Sequence, residues 1–404
     1  MIELANPFKP GAGHQPPHLA GRQAEKREFL RLLKQNTILE NMVLTGLRGV
    51  GKTVLLETLK PLASEKNWMW VGADLSESAS LTEKSIATRL CTDLSPITAT
   101  VIVSRKRVFP IGFAGSEETL ETTLNYAGLR RIYSHTPGLA LDKLKTVLES
   151  AWNALSSERG VRGIIFAYDE AQNLADHSEK EEFPLSLLLD TFQSLQRKGL
   201  PLMLVLTGLP TLFPQLVDAR TFCERMFRVV FLESLSDAHS REAILRPFES
   251  MPNVPPPDES SVDTIISMSG GYPYFIQFIC REVYDVFVQC WRREETASVP
   301  IREIQQKLDT DFFSARWART TDRQRDLLFV ISQLPDCDRE FTVQEIVEKS
   351  KDAPRNSFSG SHANQMLSAL ARQGLIFKNR HGKYSFAVPL LGAYIRRNFK
   401  AGGA

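Results

Sequence analysis

Short apolar runs alternate with segments of helical spacing over residues 22–232. The runs have the length of buried strands and lie at 41–45, 68–73, 163–168, 201–207 and 229–232. Apolar residues recur at helical spacing at 22–34, from Lys52 onward, at 139–157 and at 184–197. Because strands that alternate with helices form parallel sheets covered on both faces, we predict a doubly wound α/β domain.

The strand signal ends near residue 233. Helical periods then follow at 238–249, 262–268, 272–291 and 301–313, which predicts an all-helical domain over 234–315. From 316 to 404, three helical segments (322–334, 343–349, 361–373) precede two strands (375–379, 384–388), the order of a winged helix-turn-helix. Within the first domain, 1–233, residues 95–118 interrupt the pattern, and we predict an inserted hairpin or loop of unassigned role.

The amino-acid composition excludes few classes of function. With 43% apolar and 24% charged residues, the 404-residue chain can bury a sizeable core, and a net charge of +2 gives no overall attraction to nucleic acid. The five cysteines form no C-x-x-C pair, which favours reduced, structural thiols. The chain begins without a basic and then apolar leader, and the most apolar helix carries Arg281, Glu282 and Asp285. We therefore expect a cytoplasmic protein without a membrane partner.

One glycine-rich segment carries the clearest chemical signal. Between a strand and a helix, the motif G-x-x-x-x-G-K-[ST] is satisfied by Gly46, Leu47, Arg48, Gly49, Val50, Gly51, Lys52 and Thr53. Backbone N–H groups of such a loop cradle phosphates, and the predicted nucleotide contacts extend to Val54. Lys52 is expected to reach the β and γ phosphates and Thr53 to ligate Mg²⁺. A chance glycine turn is the alternative, which the flanking strand and helix disfavour.

A carboxylate at the tip of a buried strand would complete such a site. The apolar run 163–168 ends in Asp169 and Glu170. We expect Asp169 to hold Mg²⁺ through water and Glu170 to polarise the attacking water. Such a pair can also be a solvated strand end, but the apolar strand before it favours the catalytic interpretation.

Two further catalytic candidates follow along the chain. Thr207 ends the next buried strand, where a polar side chain can orient the attacking water; a simple strand cap is the alternative. Arg225 is our first candidate, and Arg228 the second, for an arginine that a neighbouring subunit offers to the γ-phosphate. Plain surface charge is the alternative for both, and the arginine role would require a homo-oligomer.

The base is predicted to be adenine, because the guanine-specific N-K-x-D motif is absent. Residues 16–21 are expected to form the base-binding loop, with Leu19 in apolar contact and the segment around Tyr272 on the other side. Ser269-Gly270-Gly271 resembles the ABC transporter signature, but it follows the acidic strand instead of preceding it. We therefore reject that class.

The C-terminal segment is basic throughout. Residues 353–404 contain no Asp or Glu and eight basic residues, at 355, 372, 378, 380, 383, 396, 397 and 400. One-sided charge on a winged-helix pattern is typical of phosphate contact with double-stranded DNA. Candidate contacts are Ser361, His362, Asn364, Gln365 and Arg372 on the helix and Arg380 and Lys383 on the wing. Packing on a partner protein or on the chain's own core is the alternative.

Seven strings along the chain carry a family resemblance. They are GRQAE, GLRGVGKT, IIFAYDEAQ, GLPLMLVLTGLP, ERMFR, SGGYPYFIQ and KYSFAVPLLGAYIRR, in that order. Over residues 16–397 the series resembles bacterial AAA+ ATPases of the origin-recognition-complex-like class, related to the STAND group. The resemblance implies a P-loop NTPase core, an all-helical lid and a C-terminal winged helix. Replication-initiator relatives carry a lid arginine where this chain has Tyr274, a departure that allows slow hydrolysis or a nucleotide-controlled switch.

We therefore predict an ATP-binding, Mg²⁺-dependent AAA+ ATPase whose nucleotide state, ATP or ADP, controls engagement of DNA. The alternative is a STAND-like signalling switch or scaffold with slow turnover, whose winged helix binds protein. A third option is a P-loop that binds ATP without cleaving it, which the intact Asp169-Glu170 pair disfavours.

Overall fold

The computed structural model describes residues 5–11, 13–108, 118–249, 251, 254–352, 357–380 and 382–399, without the side chains of 102–108, 118–122, 158–159 and 380. The chain divides into two compact units. We call residues 23–45 and 55–231 the sheet unit, and residues 1–22, 46–54 and 232–404 the P-loop unit.

Strands and helices alternate up to residue 232. In chain order they are α1 (Gln23–Leu32), β1 (Asn41–Gly46), α2 (Lys52–Ser64), β2 (Trp68–Val71), α3 (Glu83–Thr98), β3 (Ile102–Val108), β4 (Glu118–Thr123), α4 (Tyr126–His135), α5 (Ala140–Arg159), β5 (Gly163–Tyr168), α6 (Pro184–Arg197), β6 (Leu202–Gly208), α7 (Leu212–Ala219), α8 (Cys223–Met226) and β7 (Phe227–Leu232). Short 3₁₀ turns lie at Glu77–Ser80, Ala171–Asn173 and Ser178–Lys180.

Five strands form one sheet in the order β2-β5-β6-β1-β7. The β2–β5, β5–β6 and β6–β1 pairs are parallel. β1, β5 and β6 are buried along their whole length, because helices cover both faces of a parallel sheet. Continuous burial explains why each strand is an unbroken apolar run in the sequence. The predicted doubly wound parallel sheet is confirmed.

A buried polar network fixes the start of β1 and β6. Asn41 Oδ1 accepts a hydrogen bond from Leu204 N at 2.7 Å and one from Gln196 Nε2 at 2.8 Å. Gln196 Nε2 also donates to Leu202 O at 2.7 Å. Since buried polar atoms without partners are costly, these bonds favour one register, in which Met42 lies opposite Val205.

The interruption near residue 95 is an antiparallel hairpin of β3 and β4. The predicted start at residue 95 is wrong, because α3 continues to Thr98, which is buried and donates its hydroxyl to Leu94 O. Residues 109–117 of the predicted insertion lie outside the described residues. The role of the hairpin stays unassigned.

The segment after residue 232 is helical at first. Its elements are α9 (Asp237–Glu249), α10 (Glu259–Ser269), α11 (Pro273–Arg292), α12 (Ile301–Leu308), a π-helical turn (Asp309–Ser314) and α13 (Ala315–Trp317). α10 ends in a left-handed residue, Gly270, and Gly271 O accepts from Leu235 N at 2.8 Å. The paired glycines therefore shape the turn into α11.

The described residues after 321 form four helices and three short strands. They are α14 (Asp322–Ser332), β8 (Phe341–Thr342), α15 (Val343–Ser350), α16 (Gly360–Arg372), β9 (Ile376–Arg380), β10 (Lys383–Phe386) and, last, a further helix α17 (Leu391–Asn398). The strands form a sheet in the order β8-β10-β9. Sequence analysis missed β8, which has two residues, and α17, whose start at Leu391 directly follows a left-handed residue, Leu390.

The cysteines are free thiols. Burial raises the pKa of Cys91 to about 11 and that of Cys223 to about 12, so both stay protonated at neutral pH. In the part of the chain that the structure describes, no group of three or more His, Cys, Asp or Glu side chains is placed to hold a metal ion, and no helix is long and apolar enough to cross a membrane.

Candidate functional site

The loop between β1 and α2 has the backbone that phosphate binding requires. Gly49 and Gly51 have φ of +80° and +90°, a region that side chains with a Cβ rarely adopt. α2 begins at Lys52, directly after the second of these glycines. The loop therefore presents backbone N–H groups at a helix N-terminus, which favours a bound anion.

The Lys52 side chain lies inside its own loop. Its ammonium donates to Gly46 O and to Leu47 O, both at 2.9 Å, and the residue is 8% exposed. A buried ammonium that is bonded to neutral carbonyls is stabilised further by an anion beside it. The position of Lys52 thus suits contact with a phosphate group.

Arg22 stabilises the P-loop, a role that was not predicted from the sequence. This buried arginine donates from Nη2 to Val50 O and to Glu233 O, both at 2.9 Å. It therefore ties the loop to the chain just before α9. The only sequence signal was its place in the GRQAE string, since the spacing between residues 22, 50 and 233 has no local pattern.

The segment predicted to bind the base runs along the P-loop. Gln15 Nε2 donates to Val54 O at 3.2 Å, and Arg22 reaches Val50 as described above. Leu19 lies between these two anchors in the chain and is half-buried. Tyr272 is also half-buried, and burial raises the pKa of its hydroxyl. The role of Leu19 in binding adenine stays a prediction.

α11 is attached to the P-loop through Tyr274, at the position where the family resemblance implies a lid arginine. Tyr274 N donates to Gly49 O at 3.1 Å. A Cβ on Gly49 would lie 3.1 Å from Tyr274 Cβ, so the two backbones are in close contact. Tyr274 thus couples the P-loop backbone to α11 and cannot act as a positively charged sensor.

The carboxyl ends of β5 and β6 bring two predicted catalytic residues together. Thr207 Oγ1 donates to Asp169 Oδ1, which also accepts from Glu170 N at 2.8 Å. Both Asp169 and Thr207 are buried. Thr207 therefore does more than cap its strand, because it fixes the orientation of the Asp169 carboxylate.

Glu170 has an unusual backbone conformation, and its side chain is bonded to Gln172. Its φ of +51° is left-handed, which costs a non-glycine residue about 1 kcal/mol. Its exposed carboxylate accepts a hydrogen bond from Gln172 Nε2, while Gln172 Oε1 accepts from Leu209 N at 3.0 Å. Gln172, which sequence analysis missed, thus links Glu170 to the turn that follows Thr207.

A second buried network supports β5 at Tyr168, the residue before Asp169. Tyr168 OH donates to Asp93 Oδ2 at 2.9 Å, and Arg89 forms an ion pair with the same carboxylate. Burial, followed by the charge of Asp93, raises the pKa of Tyr168 well above its usual value. The strand that carries Asp169 is therefore anchored to α3.

The arginines of residues 220–228 differ in their partners. Arg220 pairs with Asp190 and Arg228 with Glu28, at 2.8 and 2.7 Å. Arg225 is exposed and has no ion-pair partner among the described residues. Of the two candidates for an arginine donated to a neighbouring subunit, Arg225 therefore keeps the more accessible charge.

α16 separates a buried face from a polar face. Ala363, Met366, Leu367 and Leu370 are buried. The five predicted DNA contacts on this helix, Ser361, His362, Asn364, Gln365 and Arg372, are all exposed. On the wing, Lys383 is half-buried, and the side chain of Arg380 lies outside the described residues.

Two of the C-terminal basic residues are bonded to other parts of their segment. Arg396 Nη1 donates to Ser332 O at 2.5 Å, and Arg397 pairs with Asp309 at 2.7 Å. Both residues stay exposed, but these bonds engage part of their charge within the segment.

One family model matches, over residues 310–395, and its description is "Domain of unknown function (DUF8462)". No curated protein matches the sequence. Among solved structures, the ORC2 protein of Aeropyrum pernix in its ADP form is similar with a TM-score of 0.54 and 14% identity, covering 97% of this chain and 98% of that one. The ORC1 protein of Aeropyrum pernix, solved in complex with DNA, is similar with a TM-score of 0.45 and 17% identity, covering 95% of this chain and 94% of that one. The chain therefore shares its overall fold with the ORC2 protein.

Proposed function

We propose that the protein binds and hydrolyses ATP and that its nucleotide state controls engagement of duplex DNA through a C-terminal winged helix. The supporting observation is the edge of the parallel sheet. Asp169 directly follows β5, and Thr207 is the last residue but one of β6. β1 is paired with β6 up to Thr45 and Gly208 and leads directly into the P-loop. In open α/β sheets, ligands bind outside the carboxyl ends of the strands.

The residues divide the chemistry among them. The P-loop N–H groups and Lys52 bind the β and γ phosphates, and Glu170, held by Gln172, accepts the proton of the attacking water. Thr207 keeps Asp169 oriented. Arg225 of a neighbouring copy would stabilise charge on the γ-phosphate. The ADP form of the similar ORC2 structure supports an adenine nucleotide as the ligand.

The oxygen donors present suit a magnesium ion. Mg²⁺ prefers hydroxyl and carboxylate oxygens, which Thr53 and the buried Asp169 provide. When bound, Mg²⁺ neutralises charge on the β and γ phosphates. Asp169 Oδ1 is already oriented by Thr207 and by Glu170 N, so the carboxylate is preorganised for this role.

The proposed DNA contact rests on α16. Its exposed polar face and the absence of acidic residues in 353–404 favour phosphate contact. A signalling switch whose C-terminal segment binds protein is the second candidate, and it is favoured by the bonds that engage Arg396 and Arg397 within the segment.

Steady-state ATP hydrolysis with and without duplex DNA tests the proposal. We expect measurable turnover that requires Mg²⁺ and rises with DNA, and DNA binding that weakens steeply with salt, because phosphate contacts release counterions. If the rate of ATP hydrolysis is unchanged by DNA and no salt-sensitive DNA binding is found, the signalling switch is favoured. Absence of both ATP binding and turnover would refute both functions.

A further inference from the structure

Two arginines near the P-loop lack an acidic partner. Arg48 is exposed within the loop itself, and Arg316 is half-buried on α13. Neither forms an ion pair with any carboxylate in the described part of the chain, although most other half-buried arginines there do. Burial, followed by the charge of Arg48, lowers the pKa of Arg316, as expected for two nearby cations.

Arg316 stacks on an aromatic ring, which in turn packs against Tyr274 beside the P-loop. Its guanidinium lies 4.3 Å from the centre of the Phe312 ring, and its Nη1 donates to Phe312 O. The Phe312 ring lies 5.4 Å from that of Tyr274, whose backbone N–H is bonded to Gly49 O. Since a guanidinium fixed over a ring loses little further entropy on binding, Arg316 is preorganised beside the loop.

Arg48 extends from the loop toward the end of α16. A Cβ on Gly374, just after this helix, would lie 3.8 Å from Arg48 Nη2. The C-terminal end of a helix carries partial negative charge, which holds a cation only weakly. An anion of higher charge bound at the loop would attract the same guanidinium more strongly.

We propose that Arg316 and Arg48 bind the terminal phosphate of a nucleoside triphosphate held in the P-loop, so that the segment 310–395 distinguishes the triphosphate from the diphosphate. The inference rests on the proposed ATP binding and adds its regulation. Arg316 supplies the positive charge that Tyr274 lacks, but from the segment that also carries α16. Arg48 would leave the end of α16 when the terminal phosphate is present, which relates nucleotide state to the segment proposed to bind DNA.

Equilibrium binding of ATPγS and ADP to the full chain tests this site. Arg316→Ala and, separately, Arg48→Ala are expected to weaken ATPγS binding about 10–100-fold while ADP binding changes less than about twofold. Arg316→Lys keeps the charge and should retain part of the discrimination. Arg302→Ala, which removes an exposed arginine of α12, is the matched control and should change neither affinity. Thermal unfolding without nucleotide identifies a variant that fails to fold.

Equal losses for ATPγS and ADP, or unchanged discrimination in both alanine variants, would overturn this inference and leave the proposed ATPase intact. If Arg316→Ala does not fold, Arg48→Ala in the exposed loop decides the matter alone. Failure of the unmodified chain to bind either nucleotide would instead refute the proposed function, and the inference with it.

Discussion

The P-loop and the acidic edge of the sheet are built in different ways. The P-loop unit gathers its contacts from distant parts of the chain, with Arg22, Tyr274 and Arg316 all directed at or near one short loop. In the sheet unit, Asp169 and Thr207 lie at the ends of two adjacent strands and are bonded directly to each other. We infer that the first arrangement governs which nucleotide is bound and the second how fast it is cleaved.

The largest effect is expected from Glu170→Gln. The amide keeps the shape of the side chain but cannot accept the proton of water, so turnover should fall about 10²–10⁴-fold with ATP affinity little changed. Steady-state hydrolysis and equilibrium binding on the same preparation check this. Glu179→Gln, an exposed glutamate in the following turn, is the control and should retain full turnover.

Lys52→Ala should reduce ATP affinity as well as turnover. Loss of the ammonium removes charge-assisted hydrogen bonds to phosphate, which predicts about 10–100-fold weaker ATP binding together with the loss of turnover. Calorimetric titration with ATP measures it, with Lys60→Ala on the exposed face of α2 as the control. Unchanged affinity in Lys52→Ala would contradict the role that we assign to the loop.

The two regions also differ in how far the sequence predicts them. Gly46 to Thr53 and the pair Asp169-Glu170 are local patterns, and the structure places them between strand and helix and at a strand end. The Thr207–Asp169 bond depends on β5 lying next to β6, which spacing along the chain does not encode. Arg22 contacts Glu233, which is more than two hundred residues away along the chain. Arg316 is positioned by a π-helical turn. No local periodicity in the sequence indicates either contact.

Gln172→Ala tests whether Gln172 positions the catalytic carboxylate of Glu170. Without its hydrogen bonds to Glu170 and from Leu209, the catalytic carboxylate should lose its orientation. We expect kcat to fall about tenfold with KM nearly unchanged, because the substituted side chain positions a catalytic group without binding ATP. Gln215→Ala, which removes a glutamine bonded to Leu174 O, is the control. A rise in KM alone would contradict this role.

Tyr168→Phe should have the smallest effect and act on stability. Removal of its hydroxyl leaves the buried Asp93 carboxylate with one donor fewer, which should lower the free energy of unfolding by about 1–2 kcal/mol. Urea denaturation measures this loss, and Tyr133→Phe on α4 is a suitable control because no hydrogen bond of its hydroxyl is seen among the described residues. Equal stability of the two variants would show that the network does not support β5.

The most direct test of the central claim is the affinity of Glu170→Gln protein for duplex DNA, measured by fluorescence anisotropy with saturating ATP and with saturating ADP. This variant should retain ATP without cleaving it, so the two nucleotide states can be compared at equilibrium. The account predicts affinities that differ at least about fivefold, the usual lower limit of allosteric coupling, and that both fall with salt. Equal affinities in the two states, or no DNA binding in either, would contradict it.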